Sequence, residues 1–440
     1  MKKKPLLALG LAFLMLSLLF SACGTQETPP PEQSDSTPPP PSSSEALPDG
    51  NVVEPSGLRF VTSAEEFDAQ TVGTEDGFYY IDRSIAISAN LRYIDYATAQ
   101  DIYLSVHPEA NHLTPEDDSY ISSVAGMGEV FPDGDDLFLL RVGVMDSEEQ
   151  LGKDSLPAIF RMNLDGTGRE QLYSGTASEM LSTTAAVDDA YLYLISRRTE
   201  TVDGTPESNS YLMRMDRETG ETEDLCQIAY NARMIGASDG LLILHAISAD
   251  SSEEMRTNNE IFAYEPATGK LAVLQSWPSE ERAEAWVYQG KIVTASLTAH
   301  TVTVRDVRTP QETAVYPLPD SLPEDLSGFT FSACYDGRFV FWDYAAQKLH
   351  VLDLSTGQWG DMRLSYIDPS KNNPRPVHIW AENSSHFLVC YDRQLNTRRY
   401  LNPDDGLPYE REEYAPCYAL IAKEDYWNSV PNYQTVTFNE

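Results

Sequence analysis

The strongest candidates for metal ligands in this sequence are two histidines in an acidic stretch. His107 and His112 are accompanied by carboxylates at Glu109, Glu116, Asp117 and Asp118. Imidazole nitrogens and carboxylate oxygens together bind divalent metals such as zinc. Ligand spacing without a scaffold that holds the side chains together is weak evidence for a metal site, so a polar surface loop is the favoured interpretation. We therefore predict no metal site and no cofactor, with His107 and His112 as the weak candidates.

The rest of the sequence has no recognised catalytic or calcium-binding motif. The Gly-x-Ser-x-Gly pattern that holds the nucleophile of α/β-hydrolases does not occur. Three acidic turns containing glycine do not match the calcium-loop pattern; they are Asp133–Asp136, Asp165–Gly168 and Asn402–Gly406. Asp, Asn and Gly favour turns for conformational reasons alone. We predict turns at these three places and assign no catalytic residue.

The cysteines beyond the first fifty residues are Cys226, Cys334, Cys390 and Cys417. Cys334 and Cys390 lie in dense apolar segments, where a thiol behaves as a small hydrophobic side chain. Buried free thiols are the favoured interpretation. A bridge between Cys390 and Cys417 remains open, because pairing cannot be deduced from sequence.

The candidate residues above are distributed over a sequence in which one strand–turn–strand unit recurs. Residues Ile159–Leu172, IFRMNLDGTGREQL, alternate with a period of two, and Asp165-Gly166 supplies the turn. Similar units occur at residues 91–104, 211–225, 261–274 and 349–364. Upstream of each unit, a turn pair precedes a dense apolar strand. The seven turn pairs are Asp76-Gly77, Gly134-Asp135, Asp188-Asp189, Asp239-Gly240, Gln289-Gly290, Asp336-Gly337 and Ser384-Ser385.

This period of about 50 residues, with about four strands each, is typical of propeller blades. We predict an all-β fold, a β-propeller of seven four-stranded blades, with six or eight blades as alternatives. The dense strand should be buried on both faces and the alternating hairpin should form the outer pair. Leu58–Val61 is the candidate to complete the last blade and close the ring.

The charge of the chain excludes one class of partner. It has 440 residues with 31 Lys and Arg and 68 Asp and Glu, a formal net charge of −37. Such a charge repels phosphate backbones, so we predict no nucleic-acid binding. We expect a monomer.

The first fifty residues are typical of an exported protein. Lys2–Lys4 precede the apolar run Leu6–Phe20, and Ser21-Ala22-Cys23 follows. This arrangement resembles a lipobox, which implies cleavage before Cys23 and acylation of that residue. We predict a lipoprotein signal peptide at 1–22, an acylated cysteine and Pro/Ser-rich tether at 23–50 and a propeller domain at 51–440.

The leader, the repeat and the segment Glu424–Tyr433, EDYWNSVPNY, together resemble propeller lipoproteins of Gram-positive anaerobes. The blade pattern also resembles Tol-type and low-density-lipoprotein-receptor-type propellers. The resemblance implies a propeller anchored in the cell membrane by its lipid and facing outside the cytoplasm. Ser105 and Ala110 stand where that group has cysteines, so no soft-metal site is carried over.

Two functions are compatible with these observations. The favoured one is a non-catalytic binding or scaffold protein for a surface protein, peptide or glycan, since no catalytic motif was found. The alternative is a polysaccharide hydrolase or lyase with carboxylates lining the central channel. That enzyme would need a carboxylate pair about 5–10 Å apart.

Overall fold

The structure is a computed structural model. It describes residues 57–62, 73–82, 89–107, 112, 114–121, 128–145, 152–202, 205–249, 257–309, 311, 313–319, 322, 329–343, 346–401 and 407–438. The signal peptide, Cys23 and the tether predicted within residues 1–50 lie outside these ranges. No helix in the described ranges is long and apolar enough to span a bilayer.

The strands form seven blades, which confirms the predicted fold and blade number. The first strand, β1 (Arg59–Phe60), precedes the blades. Blade 1 begins with β2 (Gly77–Asp82), β3 (Ala89–Asp95) and β4 (Gln100–Tyr103), and β5 (Tyr120–Ile121) pairs with β3. Blade 2 has β6 (Gly128–Asp133), β7 (Asp136–Arg141), β8 (Ala158–Asn163) and β9 (Glu170–Ser174), with a 3-10 turn at Gly152–Ser155. Blade 3 has β10 (Glu179–Val187), β11 (Tyr191–Val202), β12 (Thr205–Asp216) and β13 (Thr222–Ile228).

The remaining blades repeat this antiparallel order. Blade 4 has β14 (Arg233–Ser238), β15 (Leu241–Ala249), β16 (Thr257–Glu265) and β17 (Lys270–Pro278). Blade 5 has β18 (Ala283–Tyr288), β19 (Lys291–Ser296), β20 (Thr301–Asp306) and β21 (Thr313–Pro317). Blade 6 has β22 (Phe329–Tyr335), β23 (Arg338–Asp343), β24 (Lys348–Asp353) and β25 (Trp359–Met362). A separate hairpin, β26 (Ser365–Asp368) and β27 (Asn373–Pro376), precedes blade 7, which has β28 (His378–Glu382), β29 (His386–Leu401), β30 (Pro408–Ala422) and β31 (Gln434–Thr435). Between β30 and β31 lies a short helix, α1 (Lys423–Trp427), and the last strand is β32 (Thr437–Phe438).

The turn pairs identified in the sequence separate the first two strands of blades 2 to 7. Asp336 and Gly337 both have positive φ, 47° and 70°, as a tight hairpin turn of this kind requires. The dense strand that follows each pair is buried on both faces, as in β7, where Leu137–Leu140 are nearly inaccessible to solvent. The alternating hairpins form the outer strands. Local turn chemistry and strand periodicity therefore account for the blades.

The prediction that Leu58–Val61 completes the last blade and closes the ring is wrong. β1 pairs with β10, the first strand of blade 3, instead of completing blade 7. Blade 7 is completed by β31, which pairs with β30. The next strand, β32, then pairs in parallel with β4 of blade 1. The seam is thus joined by two consecutive strands from the end of the described chain.

The core is divided among the contacts between blades. Seven clusters of buried apolar side chains occur in the described ranges, and each draws on two adjacent blades. One cluster joins blades 7 and 1 through Phe78, Ile94, Leu388 and Leu420. Burying each such side chain contributes roughly 1.5–3 kcal/mol. Every blade has an apolar neighbour on both sides, so the ring is continuous.

Candidate functional site

Three turns bring together polar side chains from blades 5, 6 and 7. Tyr288 and Glu382 are the last residues of β18 and β28, and Asp336 lies in the turn after β22. Each of these strands is the first of its sheet. The first strands of propeller blades surround the central channel. The three side chains therefore lie where inner strands end, at one mouth of the channel.

Hydrogen bonds connect these turns across the blade boundaries. The Asp336 main-chain N–H donates to Oε2 of Glu382 at 3.2 Å. The Gly337 N–H donates to the Tyr288 hydroxyl oxygen at 2.8 Å. Burial, followed by the charge of Glu382, raises the pKa of Tyr288 to about 12, so the phenol stays protonated near neutral pH. The positions of the carboxylates are thus fixed relative to one another.

Helix α1 adds a cation and an indole to the same place. Lys423 Nζ lies 3.0 Å from Oε2 of Glu382 and 3.4 Å from Oδ1 of Asp336. Trp427 Nε1 donates to Oδ2 of Asp336 at 2.9 Å. Arg338 completes the group with a 2.5 Å ion pair to Oδ2 of Asp336. We call Tyr288, Asp336, Arg338, Glu382, Lys423 and Trp427 the Lys423 cluster.

Packing beneath the helix holds Lys423 and Trp427 in position. Tyr426 is buried, and its hydroxyl donates to the carbonyl oxygen of Val377 at 2.9 Å. Its ring lies edge-on to Phe387, with 5.1 Å between centroids, and Trp427 contacts the same phenylalanine at 5.4 Å. Three aromatic rings therefore anchor the short helix on blade 7.

The cluster remains open to solvent. The side chains of Asp336 and Glu382 are each 30% exposed, and that of Lys423 is 16% exposed. The two carboxylate oxygens that contact Lys423 are at most about 6.4 Å apart, the sum of their distances to Nζ. A pair of acids this close can act on the two sides of a single bond in a substrate. Cations beside them can neutralise negative charge that develops during a reaction.

The sequence contained signals for this cluster but did not show that they converge. Asp336 was identified as a turn residue, and Lys423 and Trp427 flank or belong to the segment EDYWNSVPNY. No spacing rule connects the turns of three blades with a later helix. The cluster arises only when the ring is assembled.

The two candidate metal ligands have different environments. His112 is buried and stacks on the Tyr103 ring, with 3.8 Å between centroids. Its Nδ1 lies 3.1 Å from Oδ2 of Asp117. His107 is exposed, and its main-chain N–H donates to the Ser105 hydroxyl oxygen. Among the described residues, no three His, Cys, Asp or Glu side chains are grouped as metal ligands.

Asp117 organises this part of blade 1 through hydrogen bonds. Ser105 and Ser119 donate to it at 3.0 Å and 2.5 Å. Burial acts to raise the pKa of Asp117, but bonds from Ser119, His112 and Ser105 together hold it below its usual range. Ser105 thus places a hydroxyl on the carboxylate of Asp117. Glu109 lies outside the described residues.

The acidic turns that the structure describes serve structural roles. Asp165 accepts hydrogen bonds from the main chain and hydroxyl of Thr167, at 3.0 Å and 2.6 Å. Asp133 forms ion pairs with Arg59 and Arg217. The third turn, Asn402–Gly406, is outside the described ranges.

The four cysteines of the propeller are free thiols in the structure. Cys390 is buried at the boundary of blades 7 and 1, whereas Cys226, Cys334 and Cys417 are partly buried. Burial raises the pKa of the Cys226 and Cys417 thiols to about 11 each. Both are therefore protonated and weakly nucleophilic near neutral pH.

Comparisons with known proteins give structural similarity without sequence similarity. Neither the protein-family models nor the curated protein sequences give a match. A puromycin hydrolase S511A mutant complexed with PGG has a TM-score of 0.46 and 13% identity over 84% of this chain and 59% of its own. An oligogalacturonate lyase in complex with manganese has a TM-score of 0.46 and 14% identity over 85% of this chain and 93% of its own. TolB from Acinetobacter baumannii has a TM-score of 0.32 and 14% identity over 66% of this chain and 64% of its own.

These similarities correct one sequence-based prediction. The similarity to TolB agrees with the predicted resemblance to Tol-type propellers. The prediction of a non-catalytic scaffold is wrong, because the similar structures are mostly of enzymes, a hydrolase and a lyase among them. At 13–14% identity the similarity shows only the fold and transfers no activity.

Proposed function

We propose that this chain is an enzyme that cleaves polysaccharides, a hydrolase or a lyase, at the Lys423 cluster. The observation that carries the proposal is the convergence of Asp336 and Glu382 on Lys423 at a solvent-exposed mouth of the channel. Tyr288 and Trp427 add a phenol and an indole beside the two acids. Aromatic side chains with a polar tip suit contact with a ring that is apolar on one face and hydroxylated at its edge.

If the enzyme is a hydrolase, the two carboxyl groups have different catalytic roles. One protonates the leaving glycosidic oxygen, and the other attacks the anomeric carbon or activates water. A separation of about 5–5.5 Å is typical of retaining enzymes and about 6.5–9.5 Å of inverting ones. The limit of about 6.4 Å between the oxygens at Lys423 favours retention of anomeric configuration.

In the lyase, the cations have the leading role. Lys423 and Arg338 would pair with the carboxylate of a uronic acid residue, which makes the neighbouring carbon more acidic. Either Asp336 or Glu382 would then take the proton from that carbon. The glycosidic oxygen would leave by β-elimination and take a proton from the other carboxyl group, in its protonated form. The product would carry a carbon–carbon double bond that absorbs ultraviolet light, whereas hydrolysis gives no such band.

Purified chain incubated with neutral and acidic polysaccharides tests the proposal. We expect new reducing ends, with ultraviolet absorbance only if the reaction is elimination. Glu382→Gln and Asp336→Asn should each lower the rate by about 10²–10⁴-fold, as expected for loss of a general acid or base. Glu424→Gln, an exposed neighbour on α1, should leave the rate unchanged.

Unfolding midpoints of all three variants distinguish lost chemistry from lost folding. A folded Glu382→Gln variant with activity within threefold of the original chain would overturn the assignment. So would the absence of cleavage across the whole set of polysaccharides.

We also propose that the enzyme acts outside the cytoplasm as a monomer, held to the membrane by lipid on Cys23, as in the lipoproteins of Gram-positive anaerobes that it resembles. The basic segment, apolar run and Ser21-Ala22-Cys23 support this proposal. The net charge of −37 supports the absence of nucleic-acid binding. Mass spectrometry of membrane fractions should detect acyl groups on Cys23 and none after Cys23→Ala; an unlipidated original chain would refute the anchor.

A further inference from the structure

A cavity between blades 1 and 2, remote in sequence from the Lys423 cluster, has an unusual charge. Its volume is about 390 Å³, enough for a small organic molecule. Arg141, Lys153 and Arg169 line it, and no described lining residue carries a carboxylate. The chain has more than twice as many acidic as basic residues, 68 against 31. Three cations around one cavity therefore contrast with the charge of the whole molecule.

Neither Arg169 nor Lys153 forms a direct ion pair with a carboxylate in the part of the chain that the structure describes. Arg169 donates to the main-chain oxygens of Tyr120 at 3.0 Å and Asp118 at 2.5 Å. The carboxylates of Asp118 and Asp117 also act on its charge without a direct ion pair. Lys153 is exposed and forms no ion pair with any residue in the described ranges. Other cations of the propeller, such as Lys423 and Arg198, bind carboxylates directly. Lys153 is thus the cation most available to a ligand, and Arg169 adds positive charge that Asp117 and Asp118 offset only in part.

The folding of blade 2 fixes the positions of the cations. Arg141 follows the dense part of β7, and its Nε donates to the carbonyl oxygen of Leu156 at 2.8 Å. Its guanidinium also reaches the carbonyl oxygen of Lys153 at 3.3 Å, which ties the strand to the 3-10 turn. Arg169 connects the outer hairpin of blade 2 to β5. The cationic edge is therefore preorganised by main-chain contacts, which lowers the entropic cost of binding.

The rest of the wall is largely apolar. Ile81, Ile121 and Leu139 come from the packed boundary of blades 1 and 2, and Phe160 lies beneath the Arg141 guanidinium at 5.4 Å. Gln171 and Ser174 add an amide and a hydroxyl. A purely inorganic anion would leave the apolar wall without contacts, whereas a neutral apolar molecule would leave the cations unpaired. The lining matches a molecule that has both parts.

We propose that this cavity binds a small organic carboxylate, with its charged group at Lys153 and Arg169 and its apolar body against Ile121, Leu139 and Phe160. Charge-assisted hydrogen bonds to the carboxylate would fix its orientation. The site is separate from the Lys423 cluster and does not depend on the proposed cleavage reaction.

Calorimetric titration of the full chain with matched pairs of probes tests this site. Benzoate and hexanoate should bind saturably at about millimolar concentration, and the neutral analogues benzamide and hexanamide should bind at least about tenfold more weakly. Lys153→Gln should weaken benzoate binding about tenfold, because it removes a charge-assisted hydrogen bond to the carboxylate. Lys153 is exposed, so its replacement should cost little folding stability. Lys291→Gln, which removes an exposed lysine in blade 5, is the matched control and should have no effect.

A second variant separates binding from folding. Arg169→Lys retains the charge but loses the fork-like donor geometry, so it should weaken benzoate binding while unfolding at a similar temperature. The proposal is overturned if neither carboxylate binds saturably up to about 20 mM, if the amides bind as well as the acids, or if Lys153→Gln and Lys291→Gln have equal effects.

Discussion

Replacing Arg92 with methionine should destabilise the propeller more than any surface substitution. Arg92 is fully buried in blade 1, and its Nε donates to Oδ1 of Asp101 at 2.9 Å. Tyr80 donates to the other oxygen of Asp101 at 2.7 Å. The guanidinium is also sandwiched between the rings of Tyr103 and Phe438, at 4.1 Å and 4.0 Å from their centroids. Arg92→Met retains the side-chain volume but leaves the carboxylate of Asp101 buried without its cation.

The expected loss is about 3–5 kcal/mol of the free energy of unfolding, the usual cost of breaking a buried ion pair from one side. Burial already raises the pKa of Asp101, and the charge and hydrogen bond of Arg92 act against that rise. Without Arg92, the pKa of Asp101 should rise further. A carboxyl with a raised pKa in the folded state is penalised when ionised, so this penalty is relieved as pH falls towards the folded pKa. Arg92→Met should therefore regain stability between pH 8 and pH 5, and the original chain should regain less.

Chemical denaturation at pH 8 and pH 5 measures both effects. The double variant Arg92→Met with Asp101→Asn should be more stable at pH 8 than Arg92→Met alone, because it removes the unpaired charge. Arg161→Met is the control, since Arg161 pairs with the exposed acids Glu170 and Glu218; it should lose no more than about 1 kcal/mol. A loss below about 1 kcal/mol for Arg92→Met, or one that does not change with pH, would refute the reasoning.

Two further substitutions test how the last elements of the chain stabilise the ring. Tyr426→Phe removes a hydrogen bond to a buried main-chain oxygen and should lower the free energy of unfolding by about 1–2 kcal/mol, whereas Tyr230→Phe, at an exposed site, should change nothing. Phe438→Ala removes one face of the Arg92 sandwich; we expect a loss of about 1–2 kcal/mol in denaturation and faster limited proteolysis. Val430→Ala, an exposed apolar truncation nearby in sequence, is its control, and equal proteolysis rates for the two variants would contradict a role of Phe438 in closure.

The blades were predictable because their determinants are local. A pair such as Asp336-Gly337 favours positive φ wherever it occurs, and the dense strands are uniformly apolar because both faces pack against neighbouring blades. The position of Leu58–Val61 was not predictable in this way. Its pairing with β10 connects segments that are distant in sequence and depends on the space left by the assembled ring.

The candidate site was hidden from sequence for the same reason. Tyr288, Asp336, Glu382 and Lys423 come from three blades and a helix, and no motif spacing relates them. His112 and Asp117 contact each other, as residues close in sequence can, but the stacking of His112 on Tyr103 was not foreseeable. Contacts between residues close in sequence can be predicted from a repeat sequence. A site built from several repeats becomes visible only in the folded structure.

The way in which the ring closes sets the order in which its blades can be completed during folding. Blades 2 to 6 each contain four strands that follow one another along the chain, so these strands can pair soon after synthesis. Blade 1 is completed only when β32, which follows β31 of blade 7, pairs with β4. Until blade 7 packs against blade 1, the apolar flanks of these two blades face water and invite association with other chains. Chaperones would be needed most in the interval before blade 7 packs against blade 1.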